Sequence, residues 1–151
     1  MHKNIFFISD FFLENGVFGG AEYYNDNLIK HLSKDSVVKK INSSKVDVNF
    51  LQNHISSKFI VANFMILSGE SKQYLEKNIN YCILEHDHKY VSTNNPSLFK
   101  DFLVPEDLLI NKSFYEAAKV VFCQSKIHAE VIQKNLLIKN ICNLGGNLWT
   151  E

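Results

Sequence analysis

The chain has 151 residues, the size of one domain with room for a hydrophobic core. Sixteen lysines balance sixteen acidic residues and arginine is absent. A neutral chain is a poor candidate for a nucleic-acid clamp, which needs concentrated positive charge. The chain also lacks the guanidinium fork that binds phosphate in a bidentate manner. Because the longest apolar stretch covers only residues 59–67, we expect no transmembrane segment.

The cysteines and the N-terminus bear on the cellular compartment. Cys82, Cys123 and Cys142 are far apart and form no CxxC pair, which favours reduced thiols over a disulfide scaffold or a zinc site. The N-terminal apolar run is short and is interrupted by Ser9 and Asp10, a poor pattern for a signal peptide. We therefore expect a cytoplasmic protein, and docking at a membrane surface stays open.

Predicted strands and helices alternate along the chain. Apolar runs without alternation are typical of strands buried on both faces of a parallel sheet. In chain order they are residues 5–8, a weaker run at 37–41, then 59–62, 81–84 and 120–123. Helical spacing occurs at residues 21–33, 70–77, 107–118 and 126–136, the last with Ser125 as N-cap. The alternation predicts a single α/β domain over residues 1–151: a three-layer α/β/α Rossmann-like fold with a mainly parallel sheet.

Polar residues follow the predicted strands. A doubly wound sheet binds ligands in the crevice outside the carboxyl ends of its strands, near the switch in strand order. The residues at those positions are Ser9, Asp10, Asn63, Glu85, His86, Asp87, His88, Gln124 and Ser125. A solvated loop would also be polar, so this pattern alone favours a site only modestly.

A glycine-rich loop precedes the first predicted helix. Gly16, Gly19 and Gly20 lie just before Ala21 and Glu22. Glycines let backbone N–H groups approach a ligand, and a helix N-terminus adds partial positive charge, which together suit a phosphate or a hydroxyl group. The spacing matches neither GxGxxG nor a P-loop. A simple turn, with Glu22 serving only the helix dipole, is the alternative interpretation.

Several segments together resemble a known family. Residues 3–8 (KNIFFI), the Gly-Gly-Ala-Glu sequence at 19–22 and residues 28–32 (LIKHL) resemble the start of GT-B glycosyltransferases of the family 4 type. The similarity continues at residues 81–87 (YCILEHD) and 120–125 (VVFCQS), where that family has a strand ending in His-Asp and a strand ending in serine. It extends from about Lys3 to Trp149 and implies the N-terminal, acceptor-binding half of such an enzyme.

The resemblance implies transfer of a sugar, with retention, from a nucleotide-diphosphate donor to a hydroxyl of a saccharide or lipid-linked acceptor. The nucleotide-sugar is a co-substrate, and no cofactor or metal is implied. In this family a second Rossmann-like domain holds most of the donor site. That domain is absent from this chain, so we expect an isolated half, inactive alone, that works with a missing C-terminal domain or as a homo-oligomer.

The same resemblance implies roles for individual residues. His86 and Glu22 would be catalytic, orienting acceptor or sugar hydroxyls, while Gly19 and Gly20 approach the donor phosphate. The crevice would further be lined by Asn63, Asp87, His88 and Ser125.

Other interpretations stay open. In extended backbone His86 and His88 share one side, so with Asp87 they could bind zinc or iron. The same residues could instead be a polar loop that caps the sheet. At the level of function, the rival is a non-catalytic Rossmann-like module for ligand binding or self-association. A nucleotide-dependent oxidoreductase is disfavoured because GxGxxG is missing.

Overall fold

Six parallel strands form one sheet in the computed structural model, which describes residues 4–146. The strands are β1 (Asn4–Ser9), β2 (Val37–Asn42), β3 (Lys58–Val61), β4 (Tyr81–Glu85), β5 (Val120–Cys123) and β6 (Ile141–Asn143). Their order is β2-β1-β3-β4-β5-β6, and every neighbouring pair is parallel. The predicted three-layer Rossmann-like fold is confirmed, with a sheet that is wholly parallel.

The helices fill the intervals between strands. They are α1 (Gly20–Leu32), α2 (Val48–Asn53), α3 (Gly69–Asn78), α4 (Lys112–Ala117) and α5 (Lys126–Leu136). The predicted cap of α5 is confirmed, because the Ser125 hydroxyl accepts from the His128 backbone N–H at 3.2 Å. The prediction missed α2 and β6, which are six and three residues long and too short to show periodicity. Only residues 112–117 of the helix expected over 107–118 are α-helical, after a short 3-10 turn.

The two faces of the sheet are covered unequally. The larger core cluster joins strand residues such as Ile8 and Val61 to side chains of α2, α3, α4 and α5. The smaller cluster, around Phe7 and Leu84, is covered by α1 alone among the described helices. This division follows from strand geometry, since successive side chains point to opposite faces. It places α1 over the face of the sheet that carries the smaller cluster.

Strand order switches at β1. The chain passes from β1 to β2 on one side and then returns to β3 on the other side, so β1 has β2 and β3 as its two neighbours. A crevice opens at such a point because the connections on either side run over opposite faces of the sheet. The residues that follow β1 and β3 therefore border the expected ligand position.

The segment that follows β4 is packed rather than open. Residues 89–105 contain short 3-10 turns, and Tyr90, Val91 and Val104 are buried in the larger core cluster. Of the three cysteines, all free, Cys123 is buried and Cys142 is exposed. No helix within residues 4–146 is long and apolar enough to cross a bilayer. Lys3 and Trp149, the ends of the resemblance, lie outside the described residues.

Candidate functional site

The residues predicted to form a site all lie at the carboxyl edge of the sheet. Gly19, Gly20 and Glu22 are at the start of α1, on the loop that leaves β1. Asn63 follows β3, and residues 86–88 follow β4. Ser125 follows β5, where it is exposed. Parallel strands bring these positions to one edge because their carboxyl ends all face the same way.

The glycine pair at the start of α1 is not explained by left-handed backbone. Gly19 has an ordinary extended φ of −128°, and Gly16 is the glycine of this loop with a positive φ, at 77°. A Cβ on Gly19 would lie 2.5 Å from Glu22 Oε2, whereas a Cβ on Gly20 would meet nothing within 4 Å. Gly19 therefore makes room for the Glu22 carboxylate, and Gly20 is unobstructed.

Glu22 folds its carboxylate back towards the N-terminus of α1. The residue is buried at 8% exposure. A negative charge is favourable at this end of a helix, where the first backbone N–H groups lack partners. A phosphate that approached the same end would meet this carboxylate and be repelled. The geometry therefore favours a hydroxyl-bearing group over a phosphate next to Glu22, and the phosphate role of Gly19 and Gly20 stays a prediction.

His86 is held between α1 and the end of β5. Gln124 Nε2 donates to His86 Nδ1 at 2.7 Å, and His86 Nε2 lies 2.7 Å from Asn25 Oδ1. Since an amide nitrogen only donates, Nδ1 must accept, and the ring proton is on Nε2 and is donated to Asn25. The Tyr24 ring contacts the imidazole edge to face at 5.4 Å. Burial, with help from the charge of Lys89, lowers the pKa of His86 to about 4, so the ring is neutral at pH 7.

His88 has different neighbours from His86. Its Nδ1 lies 2.8 Å from the Tyr90 hydroxyl, and its ring packs against that of His128 on α5, with centroids 4.5 Å apart. The extended backbone that the alternation argument assumed is absent here, because β4 ends at Glu85 and the chain bends at residues 86–87. His128, half-buried against His88, has its Nε2 unpaired among the described residues. Burial lowers the pKa of His88 to about 4 and also lowers that of His128.

A buried ion pair lies beneath the histidines. Lys89 Nζ is 3.2 Å from Glu85 Oε1, and the two side chains are 2% and 0% exposed. Glu85 also accepts from the Tyr115 hydroxyl and, at 2.9 Å, from the Asp87 backbone N–H. Asp87 itself is exposed, with its carboxylate 3.4 Å from Lys89 Nζ. These contacts shape the turn that carries residues 86–88.

Asp10 joins three segments at the switch in strand order. Its Oδ1 accepts from the Ser43 hydroxyl and from the Ile66 N–H at 3.2 Å, and its Oδ2 accepts from the Met65 N–H at 2.8 Å. The side chain is buried at 4% exposure. Because both carboxylate oxygens of Asp10 accept hydrogen bonds from protein groups, its role is structural: it holds together the segments that form the crevice wall.

Three buried polar atoms near the switch have no hydrogen-bond partner among residues 4–146: Ser9 Oγ, Asn25 Nδ2 and Asn63 Oδ1. Ser9 ends β1, Asn63 follows the neighbouring strand β3, and Asn25 is on α1. Leaving such a group unpaired costs on the order of 1–3 kcal/mol, so native proteins rarely tolerate several together. They supply a hydroxyl, an amide donor and an amide acceptor that are available to a ligand or to water.

Asn25 is a buried polar residue at the candidate site that the sequence analysis missed. It lies four residues after Ala21 and three before Leu28, so it occupies the predicted apolar stripe of the first helix. A polar side chain in that stripe is the signal that could have revealed it.

Comparison of the chain with protein-family profiles, with curated proteins and with solved structures finds no match. Over residues 4–146, no group of three or more His, Cys, Asp and Glu side chains is placed to hold a metal ion. The geometry therefore gives no support to a metal site at His86, Asp87 and His88.

The neutral histidines predict a loss of stability in mild acid. An unfolded histidine takes up a proton near pH 6.5, whereas His86 and His88 resist protonation down to about pH 4 when folded. The unfolded state therefore binds more protons between these limits, and each histidine lowers the free energy of unfolding by on the order of 3 kcal/mol as the pH falls from about 6.5 to about 4.

Urea unfolding between pH 7.5 and 5 measures this loss. His86→Gln and His88→Gln should each flatten the dependence of the unfolding free energy on pH. His31→Gln, at an exposed position on α1, is the control and should leave the slope unchanged. Equal slopes in all four proteins would mean that other groups cause the acid sensitivity.

Proposed function

We propose that this domain is the acceptor-binding half of a glycosyltransferase, which transfers a sugar from a nucleotide-diphosphate donor to a hydroxyl acceptor. The observation that carries the proposal is the contact between His86 and α1. Asn25, which binds His86, lies about one and a half turns beyond Gly20, or about 7.5 Å along the helix axis. The two motifs that resemble the family are thus linked through α1, although Asn25 and His86 are 61 positions apart in the sequence.

The polar groups of this crevice suit sugar hydroxyls. A hydroxyl both donates and accepts, so it can satisfy the unpaired Asn25 amide donor and the unpaired Asn63 amide acceptor. Glu22 adds a carboxylate that can accept a charge-assisted hydrogen bond from a hydroxyl group. This set of groups supports recognition of a neutral, hydroxyl-rich ligand at this edge.

His86 serves such a reaction as a neutral hydrogen-bonding group. With its pKa at about 4, the ring is neutral at pH 7 and is not an imidazolium acid that could protonate a leaving group. Transfer breaks the bond between the donor sugar and its diphosphate and forms a bond from the sugar to the acceptor oxygen, whose proton leaves with the diphosphate. In this proposal the present chain orients the acceptor, and a second lobe holds the nucleotide.

A non-catalytic ligand-binding module is the second candidate. The favouring observation is that Asn25 and Gln124 already occupy both ring nitrogens of His86. An imidazole tied in this way organises its neighbours and need not touch a reacting atom. The coding sequence beyond Glu151 separates the candidates, because a second βα domain supports the transferase and a stop codon favours the binding module.

Ligand titration of the isotopically labelled chain tests the proposed crevice. We expect at least one of maltose, UDP-glucose and GDP-mannose to shift the NMR signals of Glu22, Asn25 and His86, with no turnover by the isolated chain. Gly20→Val should weaken this binding at least tenfold while leaving the fold intact, because its side chain enters space that the protein does not fill.

Gly69→Val is the matched control for that substitution. Gly69 is likewise the first residue of a helix and has open space around its Cβ. This variant should bind as the wild type does. Signals that move only outside the crevice, or equal weakening by both valine variants, would contradict the proposal.

A further inference from the structure

We propose that Gln124 and His86 form a hydrogen-bond relay that turns the Asn25 amide so that its N–H donates to an oxygen of a hydroxyl-bearing ligand. The inference rests on the proposed function in taking the ligand to carry hydroxyl groups. It adds a ligand-binding residue, Asn25, and assigns His86 and Gln124 a positioning role.

The direction of the relay follows from which side-chain atoms can donate a hydrogen bond and which can accept one. Gln124 Nε2 can only donate, so His86 Nδ1 accepts and the ring proton resides on Nε2. The Nε2–H group can only donate, so the amide oxygen of Asn25 must face it, at 2.7 Å. The amide nitrogen of Asn25 is then forced to face away from His86. The three steps are coupled, because reversing any one of them alone would place two donors or two acceptors together.

The far end of the relay is an unsatisfied donor. Asn25 is 1% exposed, and its Nδ2 has no partner among residues 4–146. Ser9 Oγ and Asn63 Oδ1, at the ends of the two adjacent central strands, are buried and unpaired as well. An amide held by a fixed relay, at a sheet edge where Ser9 and Asn63 supply a hydroxyl and a second amide, is a preorganised hydrogen-bonding site. Its neutral groups suit an uncharged hydroxyl-bearing ligand.

The tautomer of His86 tests the relay without any ligand. Long-range 1H–15N correlation spectra distinguish a protonated ring nitrogen from an unprotonated one. In the wild type at pH 7, we expect the proton on Nε2. In Gln124→Glu, the new carboxylate can only accept, so the proton should be found on Nδ1. Gln133→Glu introduces the same charge change at an exposed position on α5 and should keep the wild-type tautomer.

Binding of the same three probes, maltose, UDP-glucose and GDP-mannose, tests the far end. The side-chain N–H signals of Asn25 should shift with the probe that binds. Asn25→Asp keeps an acceptor for His86 but removes the donor, so binding should weaken at least tenfold while the ring proton stays on Nε2. Gln124→Glu should weaken binding by a similar factor, and Gln133→Glu should not.

The relay, the ligand role of Asn25 and the proposed function would each be overturned by a different result. A proton on Nδ1 in the wild type, or an unchanged tautomer in Gln124→Glu, would overturn the relay. A probe that shifts Glu22 but leaves the Asn25 side chain unmoved would overturn the role of Asn25 and leave the proposed function standing. If no probe binds, the proposed function fails and the ligand role of Asn25 fails with it, whereas the tautomer result still decides the relay.

Discussion

Lys89→Met should lower the free energy of unfolding by about 3–5 kcal/mol, because it leaves the Glu85 carboxylate buried without its cation. Glu85 is fully buried, and Lys89 Nζ, 3.2 Å from its Oε1, is the nearest positive charge in the described chain. The hydrogen bonds from Tyr115 and from the Asp87 backbone remain, but they cannot neutralise the carboxylate. Urea unfolding at pH 7 measures the effect.

Two further variants make this result specific. The double variant Glu85→Gln/Lys89→Met removes both charges and should recover at least half of the lost stability, since breaking a buried pair costs more than replacing it. Lys112→Met removes a lysine from an exposed pair with Glu116, at 4.0 Å, and should change stability by less than about 0.5 kcal/mol. A loss below about 1 kcal/mol in Lys89→Met would show that solvent reaches Glu85.

Asp10→Asn should destabilise the domain by about 2–4 kcal/mol, because one carboxylate oxygen becomes an NH2 group that faces a donor. The oxygens of Asp10 accept from the Ser43 hydroxyl and from the Met65 and Ile66 backbone N–H groups. An asparagine cannot accept through its nitrogen, so at least one of these buried donors loses its partner. Thermal and urea unfolding should both report the loss.

Asp47→Asn is the matched control for this prediction. Asp47 caps α2 by accepting from the Phe50 N–H at 2.7 Å, and asparagine caps helices about as well as aspartate does. The same chemical change should therefore cost less than about 0.5 kcal/mol there. Similar losses in the two variants would indicate a general effect of lost charge and would contradict the anchoring role of Asp10.

The fold was predictable because its signals are local. A strand buried on both faces is a short apolar run, and four of these runs coincide with β1, β3, β4 and β5. Helices α1 and α5 were long enough to show periodicity, and Ser125 marked the start of α5. The short elements α2 and β6 carry too few residues for any period, and only the packing of neighbouring elements specifies them.

The candidate site was only partly predictable. The edge that carries His86, Asn63 and Glu22 follows from one rule, that parallel strands end on the same side. The alternation rule does not apply to His88, because it holds only within a strand and β4 ends at Glu85. The partner of Glu85 escaped the sequence analysis as well, since no pattern marks a lysine four residues later as buried.

By itself, the amino-acid sequence determined the α/β class, the succession of strands and helices and the polar character of one sheet edge, all of which depend on short-range periodicity. Only the tertiary structure decided that His86 binds Asn25, that His88 contacts His128 and that Asp10 joins three segments. Those contacts join residues 30 or more positions apart in the sequence. They depend on strand order and register, which sequence periodicity does not encode.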